Sequence, residues 1–398
     1  MCRVLLVLLI TVSSRQLTFS ATIDDLHRLR HHLFSNYTSD VRPLPNQSQP
    51  LVIDVDFQFI RIHHIDNTQK EFSIRGILSL AWKDEFLSWK SAEFGGLRHY
   101  HPKKGEIWTP SFINGDGVGN QDVMETITRR VLYKNGSVVV RVPGYFSTFC
   151  NFDMTYFPFD SQTCNIRLNS LDYFAEELEF RPVTKQVTTI GHYNIHAEWT
   201  LVWATMANGQ ITNATHSYNR LSIIFLVARK PLFAILNIVI PIVTISVLSM
   251  MVFLVPVESG EKLSFSLSTL LSLAVFMSFI SEQVPASSEK TPLLVIYLTS
   301  MVLLNALSVA STVLVLLCYY RGSVDKEAWA YNSSSNTNTT DDVVAKPSFE
   351  KLNPLICFGK NKKYMPASRV VNHTLLLLFM GVVIGITIGI MARMTNNT

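Results

Sequence analysis

Four apolar segments in the C-terminal half constrain this chain more than anything else in it. They run from Pro231 to Val257, Leu263 to Ile280, Pro292 to Tyr320 and Val371 to Met391. Each is long enough, or nearly so, to cross about 30 Å of hydrocarbon as an α-helix. Open strands cannot do this, because their backbone groups would go unpaired in lipid. The overall balance agrees: 48% of the 398 residues are hydrophobic and only 16% charged. A net charge of +4 gives no reason to expect nucleic acid as a partner.

The rest of the chain is organised around these segments. Residues 1–20 carry Arg3, then the apolar run Val4 to Val12, then small and polar residues. This reads as a secretory signal peptide, since the run is too short to span a bilayer. Such a start predicts an extracellular N-terminus, and four crossings then return the C-terminus to the same side. The implied divisions are an extracellular domain at 21–229, three membrane helices at 230–320, a partly disordered cytoplasmic loop at 321–370, a fourth helix at 371–392 and an outer tail at 393–398. The loop holds Arg321, Lys326, Lys346, Lys351, Lys360, Lys362, Lys363 and Arg369, as the positive-inside rule prefers. Its Ser/Asn/Thr-rich middle, Asn332 to Asp342, is expected to be disordered.

The extracellular segment reads as β-structure. Short alternating runs such as Leu51 to Ile60 and Val138 to Val142 are separated by turn signals, among them Asn135-Gly136 and Asn208-Gly209. Many short strands with polar turns predict a sandwich. The expected fold class is therefore an all-β extracellular sandwich followed by an all-α four-helix transmembrane domain. Asn36, Asn46, Asn135 and Asn213 head glycosylation sequons in this segment. Of the five cysteines, Cys150 and Cys164 fall in the exported part. They can pair in an oxidising compartment, the alternative being two unrelated buried thiols.

The second apolar segment differs in kind from its neighbours. Ser264, Ser268, Leu271, Val275, Ser278 and Glu282 recur at spacings of four and three, so they form one stripe on a helix. Glu261 and Lys262 sit at its inner end. A lipid-facing helix gains nothing from such a stripe, whereas polar groups inside a membrane usually mark an ion path. In a symmetric oligomer each position becomes a ring. Glu261 and Glu282 would concentrate cations, and Leu271 with Val275 would form an apolar constriction that gates by dewetting. The alternative is that the hydroxyls only bond back to their own helix or to neighbouring helices.

Cys150 and Cys164 enclose NFDMTYFPFDSQT, with Phe157-Pro158-Phe159-Asp160 at its centre. This resembles the signature loop of the Cys-loop receptors, the pentameric ligand-gated ion channels. Trp82-Lys83-Asp84, Phe94-Gly95-Gly96, Trp108-Thr109-Pro110, Glu261-Lys262 and Pro241 resemble counterparts in the nicotinic branch, in an invertebrate-type form. The resemblance implies four further subunits, a homopentamer in the plasma membrane, and monovalent cations as the permeant species. It implies an unidentified small extracellular ligand bound between neighbouring sandwiches, and coupling through the Cys-loop, Asp66, Arg229 and the linker starting at Pro285. Arg229 resembles the family's coupling arginine. Its acidic partner would fall at Asn67, so Asp66 or Asp160 stands in.

The resemblance breaks at the agonist site, an aromatic cage that holds a quaternary ammonium by cation–π attraction. Leu171 and Ile77 replace two tryptophans, and the vicinal cysteine pair is missing. At roughly 0.5–2 kcal/mol per tryptophan, acetylcholine affinity falls by about one to three decades. Tyr173 and Tyr218 match cage aromatics, Phe112 is the candidate for a third, and Val140 with Val142 fits the apolar lining of the opposing face. The two tyrosines can instead simply pack the sandwich. His99 and His101 are read as surface histidines rather than a metal site. No cofactor and no hydrolytic triad or phosphate loop stands out, so an enzyme is not expected. The competing functional readings are an accessory subunit that conducts only with a partner, and an anion-selective relative. Anion channels of the family usually carry a Pro-Ala-Arg insertion that Ser259-Gly260-Glu261-Lys262 lacks.

Overall fold

A computed structural model describes residues 21–119, 128–170, 172–190, 196–212, 215–283, 291–334 and 364–395. The expected signal peptide, Leu171, Asn213, Pro285, the middle of the 321–370 loop and the end of the C-terminal tail lie outside the described residues. The chain divides into two compact units. One comprises residues up to Phe152 together with Gln162–Ala228. The other comprises Asp153–Ser161 with the chain from Arg229 onward.

The first unit opens with helix α1 (Ile23–Phe34), capped by Thr22 and Asp25 in a reciprocal box. Eleven strands follow: β1 (Leu51–Asp66), β2 (Glu71–Lys83), β3 (His99–Tyr100), β4 (Ile113–Asn114), β5 (Arg129–Tyr133), β6 (Ser137–Phe149), β7 (Ser161–Asn169), β8 (Leu178–Pro182), β9 (Thr188–Thr189), β10 (Trp199–Thr212) and β11 (Ser217–Arg229). They form a seven-stranded sheet in the order β3-β5-β6-β2-β1-β8, with β9 also on β1, and a four-stranded sheet in the order β10-β11-β7-β4.

Alternation makes the core. Leu51, Ile53, Val55, Phe57 and Phe59 of β1 are buried, as are Leu221, Ile223, Phe225 and Val227 of β11, because successive side chains point to opposite faces. The Phe225 ring lies 5.7 to 6.2 Å from those of Phe72, Phe59 and Phe57. Gly76 lets this cluster close, since a Cβ there would meet Phe57 at 2.4 Å. Cys150 and Cys164 form a disulfide, with Cα atoms 5.4 Å apart. Asn36, Asn46 and Asn135 are exposed.

The second unit contains four helices long and apolar enough to cross a membrane. The first, α2 (Leu232–Leu254), passes through a π-helical turn at Ile235–Val239 before its regular α segment. Pro241 has no N–H to donate to residue 237, and its ring crowds that carbonyl, so the helix widens there. The others are α3 (Lys262–Gln283), α4 (Leu293–Ser334) and α5 (Tyr364–Thr395). Helix α4 runs past the expected end of its span, so Asn332, expected in a disordered stretch, is still helical. Pro366 does not interrupt α5, because it falls in the first turn, where a missing N–H has no intrahelical acceptor to lose.

Candidate functional site

Helix α3 separates its residues by face. Lys262, Ser266, Thr269, Leu273 and Ile280 are buried against other helices of the unit. Thr269 Oγ1 lies 3.4 Å from Asn305 Nδ2 of α4. Lys262 is 1% exposed, and its Nζ donates to Asn372 Oδ1 of α5 at 2.9 Å. The ammonium also lies 5.9 Å from the Phe253 ring centre. Glu261, Ser264, Ser268, Leu271, Val275, Ser278 and Glu282 are all exposed along the opposite side, with Leu271 at 66% and Val275 at 61%. Ser268 Oγ and Ser272 Oγ each donate to the carbonyl four residues earlier at 2.9 Å. That contact uses the hydroxyl proton and leaves oxygen lone pairs on the exposed face.

The tip of the Cys-loop is built around Arg229. Its guanidinium forks onto Asp160, Nε to Oδ1 at 2.7 Å and Nη2 to Oδ2 at 3.2 Å. The Arg229 side chain is 8% exposed and that of Asp160 1%. Arg229 also stands 5.0 Å from the Phe157 ring centre, and its backbone N–H donates to Asp160 O. Two parallel charge-assisted bonds fix orientation as well as charge. Pro158 is buried and Phe159 half-buried in the same loop. Leu293 N, at the start of α4, donates to Thr155 O at 3.0 Å. Asp160 is thus the partner of Arg229. Asp66 closes its own turn instead, accepting from Thr68 Oγ1 at 2.6 Å and Gln69 N at 2.9 Å. Those bonds, that from the Thr68 side chain foremost, hold its carboxyl below the usual range.

The expected ligand residues divide. Tyr218 is half-buried, 5.5 Å from Phe174, which stacks on His216 at 4.3 Å. The sequence does not point to Phe174: the segment between β7 and β8 reaches the start of β11, where Ala175 N donates to Ser217 O at 2.7 Å, and this sets Phe174 beside His216 and Tyr218. Tyr173 is half-buried and accepts from Trp108 Nε1 at 3.0 Å, while Arg42 lies over its ring. It belongs to a packed chain through Trp108 to Trp82. Tyr37 extends that chain, donating to Asp84 Oδ2 at 2.7 Å and accepting from Trp108 N. Burial raises the Asp84 carboxyl above its ordinary value.

Three expected positions require correction. Phe112 is 0% exposed and packs on Phe180 at 4.9 Å, so it is a core ring and not part of a cage. Val140 and Val142 are also 0% exposed. Parity explains this: on a strand only alternate residues face outward, and on β6 those are Val139, Arg141 and Pro143. Ile77 of β2 does face outward, opposite Pro143. His99 and His101 pack edge to face at 5.4 Å, and His101 Nδ1 contacts Arg130 O. Among the described residues no group of three His, Cys, Asp or Glu side chains could hold a metal.

Two family profiles match the chain. The neurotransmitter-gated ion-channel ligand binding domain matches residues 26–231, and the neurotransmitter-gated ion-channel transmembrane region matches residues 238–368. The chain therefore belongs to the neurotransmitter-gated ion-channel family, the pentameric Cys-loop receptors. It is a membrane-embedded subunit of a ligand-gated channel and not an enzyme. Among its relatives is the acetylcholine receptor subunit beta of Xenopus laevis, 28% identical over 86% of this chain and 69% of the relative. The neuronal acetylcholine receptor subunit beta-3 of Rattus norvegicus is 30% identical over 81% of this chain and 70% of its own length. The acetylcholine receptor subunit alpha-L1 of Schistocerca gregaria is 30% identical over 76% of this chain, which spans 56% of it.

Proposed function

We propose that this chain forms a homopentameric, cation-selective channel in the plasma membrane, with both termini extracellular. A small extracellular ligand binds between neighbouring β-sandwiches and opens it. The observation that carries this reading is the exposed stripe of α3, acidic at Glu261 and Glu282, hydroxylated at Ser264, Ser268 and Ser278, and apolar at Leu271 and Val275. Rings of carboxylates favour cations, and an apolar girdle closes a pore by excluding water. The acetylcholine receptor names of the relatives agree with cation conduction. The signal would reach the membrane unit through the Cys-loop tip, where Asp160 holds Arg229, together with the linker at Pro285. The sequons at Asn36, Asn46, Asn135 and Asn213 would carry glycans. Purified protein in bilayers under a salt gradient tests the selectivity. The reversal potential should sit near that of the cation, and Glu261→Ala should move it toward zero. Anion-selective current, or no shift in the variant, sinks the reading.

A second reading is an accessory subunit that conducts only beside a partner. Ile77 and Leu171 favour it, since they remove two large aromatic faces from an ammonium-binding cage. Current that appears only on co-expression with a second subunit would establish it.

A further inference from the structure

The outward face of the larger sheet carries a pair of arginines in an unusual setting. Arg129 of β5 and Arg141 of β6 stand directly opposite each other in the ladder, and both are exposed. Ser79 of β2 is opposite Arg141 on its other side, and Asp56 of β1 is opposite Ser79. One row thus reads Asp56, Ser79, Arg141, Arg129 across four strands, with neighbouring strands about 4.8 Å apart. Like charges directly opposite each other destabilise a sheet. Among the described residues neither arginine has a carboxylate within ion-pair distance. Asp56 lies two strands from Arg141 and accepts from Gln58 Nε2 at 3.1 Å. Ser79 Oγ is shut off from solvent, with no hydrogen-bond partner among the described residues.

On β2, β5 and β6 the rows on either side are apolar, while on β1 they end in Gln58 and in Asp54, whose carboxylate is taken up by Arg181. Ile77 faces Pro143 on one side, and Ala81, Val139 and Val131 line up on the other. The surface therefore offers two guanidinium forks set between aliphatic side chains. Guanidinium forks match the planar geometry of a carboxylate, and an anion between Arg129 and Arg141 would relieve their repulsion. A quaternary ammonium meets the reverse, two like charges and an isoleucine where a cation–π partner would be needed.

We propose that the ligand opening this channel is a small organic acid, its carboxylate held by Arg129 and Arg141 and its apolar part resting on Ile77, Val139 and Pro143. This rests on the reading that the ligand binds between neighbouring sandwiches, and it names that ligand's class. The test uses the full-length purified receptor and thermal shift at fixed ionic strength, since any ligand selective for the folded state raises its apparent stability. The probes are phenylacetate, 4-aminobutyrate and glutamate, set against phenethylamine and choline. At least one acid should stabilise the receptor saturably and the two amines should not. Arg141→Gln and Arg129→Gln should each weaken that acid at least tenfold without lowering the ligand-free melting temperature, and Arg141→Lys should recover part of the loss. Stabilisation by amines alone, by no acid, or by an acid to the same degree in both glutamine variants overturns the proposal. So does dissociation of the pentamer in those variants, which would make the arginines a subunit contact. A receptor that binds acids through both arginines but passes anion instead of cation current would remove the cation-selective reading and leave this one intact.

Discussion

The exposed side of α3 and the outward face of β2, β5 and β6 treat charge in opposite ways. Along α3 the acids Glu261, immediately before its first turn, and Glu282 are exposed, while the one cation, Lys262, is turned inward onto Asn372. On the sheet the cations Arg129 and Arg141 face out side by side. On the proposed reading the helix carries an acidic pore stripe, and the sheet offers an anion the surface where the family resemblance implies a cage for a cation. On that reading a subunit keeps one conduction chemistry while its recognition chemistry changes, because the two are set by side chains on separate elements.

The largest way to break this comparison lies at the Cys-loop tip. Arg229→Gln leaves the Asp160 carboxylate buried without its charge partner, which costs about 3–5 kcal/mol. Folded pentamer should be lost on size exclusion, and Asp160→Asn in the same chain should restore part of it. Full assembly of Arg229→Gln alone would show that the pair does not hold the loop. Next comes the parity of β6. Val140→Ala should lower stability by about 2 kcal/mol through lost burial, and Val139→Ala should stay within about 0.5 kcal/mol. Equal losses in thermal denaturation would mean that the faces have been assigned the wrong way round.

Asn372→Ala removes the hydrogen bond to the buried Lys262 ammonium, at a cost of about 1–3 kcal/mol. The orientation of Glu261, one residue away, should loosen with it, read as a fall in cation-over-anion permeability. Unchanged selectivity would separate the buried face of α3 from its exposed one. The smallest effect belongs to Asp66. Its folded carboxyl titrates below the unfolded one, so its contribution is present above the ordinary value near pH 4 and is lost as pH falls through the folded value. Thr68→Ala should shrink that acid-side loss in melting temperature across pH 5 to 2. An unchanged acid limb would show that the turn does not carry it. Asp84, raised by burial, slopes the other way: its contribution declines as pH rises from the ordinary carboxylate value toward the raised one.

Much of this was legible in the residues. Apolar runs of membrane length announced the helices, and alternation from Leu51 to Phe59 announced a half-buried strand. The spacing of Ser264 through Glu282 placed those residues on one face, because a helical stripe is three or four residues wide and tolerates a small error in phase. Strand positions are less forgiving. Val140 and Val142 have the right chemistry for a ligand-facing wall, but a one-residue offset sends a side chain to the opposite face, and Arg141 lies between them. Phe112 enters the core, and an aromatic after Trp108-Thr109-Pro110 says nothing by itself about which layer it enters.

By itself the sequence determined the β-sandwich, the membrane helices, the Cys-loop and the acid-hydroxyl-apolar order along α3, since each follows from local periodicity or from residues adjacent in the chain. Only the tertiary structure decided that Asp160 rather than Asp66 pairs with Arg229, that Lys262 reaches Asn372, and that Arg129 meets Arg141. Those pairings depend on strand register and helix packing, which join residues distant in sequence, and no local pattern encodes which distant residue arrives.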